Sequence, residues 1–132
     1  MTDEQQQAVD SVRATFSEHA VDVAELEDGS VWVTVRGVDI GPGWNQTQTD
    51  LSVKLLITFP HAPYPFYASA GLTRSDGKAT NPVPQNVDLG DGVIRSQISL
   101  RISSLPVETF DTTTETVAGR FVWVMAWLRS PK

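Results

Sequence analysis

A chain of 132 residues without cysteine is long enough to bury one core unaided by metal or disulfides, and it has no disulfide framework, thiolate metal site or thiol nucleophile. Its formal charge of −6 and pI of about 4.7 argue against a nucleic-acid backbone or an anionic membrane as the main partner. The opening Met1-Thr2-Asp3-Glu4-Gln5-Gln6-Gln7 is acidic and polar, unlike a secretion signal, and no apolar run approaches bilayer length; a single domain over residues 1–132 in the cytoplasm is the expectation.

Thr2 and Gln5 have the spacing of a capping box, and Val9, Val12 and Phe16 follow at helical intervals, which predicts an amphipathic helix over roughly residues 3–19. Val21 and Val23 alternate with Asp22, Glu27-Asp28-Gly29-Ser30 supplies a turn, and Val31, Val33 and Val35 alternate with Trp32, Thr34 and Arg36. This is a β-hairpin pattern. Gly41-Pro42-Gly43-Trp44-Asn45 is a turn-forming stretch leading into the strongest signal of the chain, where Leu51, Val53, Leu55, Ile57 and Phe59 recur at every second position. Pro60, Pro63 and Pro65 then remove backbone donors, so the strand must give way to a stiff extended connection.

Ala70-Gly71-Leu72-Thr73 is a candidate fourth strand, and Ser75-Asp76-Gly77-Lys78 a turn. Residues 80–92 are rich in Pro, Asn, Asp and Gly with few apolar anchors, which predicts a long irregular crossover. Ile98, Leu100 and Ile102 alternate with Ser99 and Arg101 as a short extended segment. Thr112 and Glu115 have the form of a second capping box. Val117, Phe121, Val124, Met125 and Leu128 trace a helical stripe beyond it, with Trp123 and Trp127 expected in the core on an adjoining face. The expected fold is α+β: an N-terminal helix, a four-stranded antiparallel meander, the long irregular crossover and a C-terminal helix packed against the sheet.

His19 and His61 are the only histidines, too few and too isolated for a metal site. Phosphate-binding glycine loops, zinc-ligand spacings and Gly-x-Ser-x-Gly elbows are missing from the sequence, so no cofactor or metal is expected.

In layout the chain resembles the ubiquitin-conjugating (E2, UBC-like) superfamily, with its catalytically inactive variants and RWD domains. The resemblance is strongest from Gly41-Pro42-Gly43 through the alternating strand to Phe59-Pro60-His61-Ala62-Pro63-Tyr64-Pro65-Phe66, similar to the family's strand-to-proline pattern ending in Tyr-Pro. The Gly43-Trp44 and Asp76-Gly77 turns are also similar to those of divergent bacterial E2-like proteins encoded beside ubiquitin-like modifiers. An ordinary E2 carries a His-Pro-Asn motif and then an Ile-Cys-Leu segment bearing the thioester. Here Asn81-Pro82 and Pro84-Gln85-Asn86 stand without a histidine, and Ile98-Ser99-Leu100 puts Ser99 in the cysteine's place, with Ser96 the second choice.

The resemblance therefore implies an E2-like transferase that accepts a ubiquitin-like modifier from an E1-like enzyme as a serine oxyester. In it Ser99 or Ser96 is the acceptor and Asn86 the donor to a developing oxyanion. His61, Pro63, Tyr64 and Pro65 would belong to a partner surface. No nucleic acid or membrane partner is implied. The alternative is an inactive-variant or RWD-type binding module. In that case Ser99 is the polar face of a short strand, Asn86 a turn former and Tyr64-Pro65 structural. A third reading is an interaction subunit without any link to modifiers.

Overall fold

A computed structural model describes residues 1–59, 65–80, 82–99 and 116–130. Helix α1 (Asp3–Thr15) is followed by strands β1 (Val21–Glu25), β2 (Val31–Asp39), β3 (Gln48–Leu55), β4 (Phe66–Ser69), β5 (Gln85–Asp88) and β6 (Ile94–Ile98), and then by helix α2 (Val117–Arg129). All six strands join one antiparallel sheet in the order β1-β2-β3-β4-β6-β5.

The α+β class and the two helices follow the sequence pattern, but among the described residues the sheet has six strands instead of four. Its fourth strand is Phe66–Ser69, immediately after Pro65, rather than residues 70–73. The stretch expected to be an irregular crossover contains β5, and β6 pairs with β4 through Arg95–Ile98 and with β5 through Ile94–Gln97. Strand β5 has Val87 as its single apolar residue and β4 is four residues long, too little in either for an alternation to register. Helix α1 also stops earlier than expected, at Thr15, with the Phe16 N–H closing the last turn on the Val12 carbonyl at 2.9 Å.

The Thr2–Gln5 capping box forms as the sequence implies: Thr2 Oγ1 accepts from the Gln5 N–H at 3.1 Å and Gln5 Oε1 accepts from the Thr2 N–H at 2.8 Å. Gln5 does more than cap. Its buried side-chain amide shares its two N–H donors among the carbonyls of Gly29, Leu55 and Leu56 at 3.0, 3.1 and 3.1 Å, tying α1 to the end of β3 and to the β1–β2 turn. There the β3 ladder ends. Ile57, which the alternation assigned to the buried face, is 57% exposed and lies over Gly29, where an added Cβ would come within 2.7 Å of its Cδ1. The other proposed capping residues, Thr112 and Glu115, lie outside the described residues. Helix α2 is capped by Thr116, whose hydroxyl accepts from the Gly119 N–H at 2.9 Å.

Both helices pack on the face of the sheet carrying Val33, Val35, Leu51, Val53, Phe66 and Ile98, all buried. Phe121 of α2 is the meeting point, with its ring 5.8 Å from that of Phe16 and 4.8 Å from that of Phe66. Trp123 and Trp127 are partly buried against this core, and Trp44 Nε1 donates to the Leu128 carbonyl at 2.7 Å. A bulge interrupts β2: Val35 pairs with Leu51 and Val38 with Thr49, so Arg36 and Gly37 both stand opposite Asp50. Gly37 adopts φ +64 there, a conformation that suits glycine. Asp50 closes the bulge by accepting from the Gly37 N–H at 3.0 Å and from Arg36 Nη1 at 2.9 Å.

Candidate functional site

The register of the β5–β6 hairpin sets Asn86 opposite Ser96, while β4 sets Ala68 on the other side of Ser96. Two of the residues singled out in the sequence are thus neighbours. The Ser96 hydroxyl accepts from the Leu72 N–H at 3.0 Å and donates to Asn86 Oδ1 at 3.3 Å, and the same Asn86 oxygen accepts from the Gly71 N–H at 2.9 Å. Ser96 is only 1% exposed. With its proton and a lone pair committed and no open path to a partner, its hydroxyl fastens the turn after β4 and is poorly placed to accept a protein-sized group.

Ser99 lies just past the end of β6 and is exposed. Its hydroxyl accepts a hydrogen bond from Gln97 Nε2 at 3.0 Å. An amide N–H donor cannot take the serine proton, so this contact does nothing to generate an alkoxide. Asn86 bonds Ser96, three residues away from Ser99. Pro65 leads directly into β4, and His61, Pro63 and Tyr64 lie outside the described residues. The described histidine, His19, has Nδ1 2.9 Å from the Arg36 carbonyl. Among the described residues no group of three or more His, Asp or Glu side chains is placed to hold a metal, and no helix is long and apolar enough to cross a membrane.

The sequence reading passed over the sheet face opposite the helices. Trp32, in the polar phase of the β2 alternation, is 7% exposed there and Tyr67 equally so, with their rings 5.4 Å apart in an edge contact. The small Ser52, which pairs with Tyr67 and bonds the Thr34 hydroxyl at 2.9 Å, leaves room for that contact. The Arg95 guanidinium lies 4.1 Å and Lys54 Nζ 5.9 Å from the Trp32 ring centroid. The loop after β5 rises beside them, and Asp91 accepts from Arg95 Nη1 at 2.9 Å. Trp32, Thr34, Lys54, Asp91 and Arg95 line a groove of about 430 Å³. The Arg95 bond, followed by the Val93 N–H, holds the Asp91 carboxyl below its usual range. Burial raises the Tyr67 phenol, and the nearby Arg95 charge opposes that. A tryptophan in the solvent phase of an alternating strand was the signal available in the sequence.

No family model matches the chain, and no curated protein or solved structure matches it.

Proposed function

We propose that the chain is an E2-variant or RWD-type protein-binding module of a ubiquitin-like modifier pathway, docking the modifier or its E1-like enzyme without carrying the modifier covalently. The observation that carries this choice over a serine carrier is the state of the two hydroxyls. Ser96 is buried with its hydrogen bonds made, and Ser99 faces an amide. The E2-like layout is supported by the opening helix, the antiparallel sheet and the closing helix packed on one sheet face, together with the proline-rich run that follows β3.

The serine-carrier reading keeps one observation in its favour, the exposure of Ser99. Incubation with a ubiquitin-like protein, an E1-like enzyme encoded in the same genome, and ATP separates the two. The module reading expects saturable, non-covalent binding of one of these proteins and no adduct. A hydroxylamine-sensitive, reductant-resistant adduct lost in Ser99→Ala would establish the carrier instead, because an oxyester has that pair of sensitivities and a thioester or an amide does not. Absence of both binding and adduct, with the modifier shown to be activated, would remove the pathway altogether.

A further inference from the structure

The groove on the sheet face opposite α1 and α2 has a charge pattern that departs from the rest of the chain. Its lining carries three cations, Arg36, Lys54 and Arg95, against two carboxylates, Asp22 and Asp91, on a protein of formal charge −6. The three cations are not equivalent. Arg36 is held on both sides, by Asp22 at 2.6 Å and Asp50 at 2.9 Å. Arg95 gives one N–H to Asp91 while its guanidinium carbon lies over the Trp32 ring, and its other donors are unused among the described residues. Lys54, over the same ring, has no carboxylate within ion-pair distance among the described residues.

A guanidinium held by one carboxylate over an aromatic ring and only partly bonded is preorganised for a carboxylate, because less rotamer freedom remains to be lost on binding. Its side chain is 16% exposed, so solvent screens it less than an ordinary surface arginine. Beyond this cationic end, Ala24, Leu26 and Leu89 line the groove with apolar surface, and Leu26 and Leu89 are 39% and 40% exposed.

We propose that this groove binds an acidic peptide segment of a partner protein. One carboxylate sits between Arg95 and Lys54 over Trp32, and a neighbouring apolar side chain lies against Ala24, Leu26 and Leu89. Charge complementarity selects the carboxylate, and the apolar wall beside it selects a peptide over an inorganic anion. The assignment stands whether or not the partner belongs to a modifier pathway.

The test uses a terminally blocked pentapeptide alternating leucine and glutamate, and its glutamine counterpart, titrated into the full chain. The reporter is the indole N–H resonance of Trp32, assigned by its loss in Trp32→Phe. The glutamate peptide shifts this resonance saturably, the glutamine peptide binds about tenfold or more weakly, and added salt weakens the former. Lys54→Gln reduces affinity about tenfold with the spectrum still dispersed, and Lys54→Arg restores most of it. Equal binding of the two peptides, no shift of Trp32, or unchanged affinity in Lys54→Gln overturns the proposal. So does an equal shift with acetate at matched concentration, which would make the groove a site for a carboxylate alone.

Discussion

At the scale of single residues, Ser96 and Ser99 divide cleanly between structure and surface. Ser96→Ala leaves the buried Leu72 N–H without its acceptor and should cost about 1–3 kcal/mol. Ser99→Ala removes only an exposed contact and should stay within about 0.5 kcal/mol. Urea unfolding of the two variants measures the difference. Sequence reasoning found both serines and Asn86, but it could not see which was buried. That depends on the β5–β6 register, and β5 lay hidden in a stretch with turn-former composition. Tyr67 offers a second check. Because burial raises its phenol above the usual value of about 10, the folded protein holds that proton longer than the unfolded chain does. Its contribution is intact below about pH 10 and is lost as pH rises through the folded value. An ultraviolet titration should show one late-ionising tyrosine that disappears in Tyr67→Phe; ionisation of Tyr67 at the ordinary value would contradict this.

Elements are held mainly by what they bury. The Arg36 pairs to Asp22 and Asp50 are half-exposed and contribute about 0.2–1 kcal/mol each, whereas each fully buried side chain such as Val33 or Leu51 contributes about 1.5–3 kcal/mol. The alternation that created those rows is why β2, β3 and both helices were legible. The end of β3 was not, since it is set by an amide arriving from α1, fifty residues away in the chain. Gln5→Glu tests that tie. A carboxylate would face the carbonyls of Gly29, Leu55 and Leu56, so its folded pKa would rise above the ordinary glutamate value. Sign follows from this: the penalty relative to wild type is smallest below about pH 4 and grows with rising pH until the folded pKa is passed, reaching about 3 kcal/mol. Denaturation midpoints at pH 4 and pH 7, with Gln5→Leu as the variant whose penalty does not titrate, measure the effect. A pH-independent penalty in Gln5→Glu would refute the tie.

For the whole molecule, one ring joins the layers. Phe121 touches the C-terminal cap of α1 at Phe16 and the sheet at Phe66, and it is fully buried. Phe121→Ala should cost about 3–5 kcal/mol and lower the helical and near-ultraviolet aromatic signals in one transition. Separate transitions would mean that the helices and the sheet are less coupled than their packing implies.

The bulge in β2 means that this strand holds one residue more than its alternation requires. Val31, Val33 and Val35 count inward on odd numbers, whereas Val38 and Ile40 count inward on even ones. Gly37 is therefore a spare beat: with it removed, Arg36 alone stands opposite Asp50, and the pairs Val38–Thr49 and Asp39–Gln48 fall into an uninterrupted ladder with every core side chain still inward. Deleting Thr34 two positions before Arg36 would instead reverse the facing of the valines on one side of the cut. Shortening the chain at Gly37 should leave a folded protein with a cooperative melt, and shortening it at Thr34 should not, so two deletions of equal length in one strand have opposite outcomes.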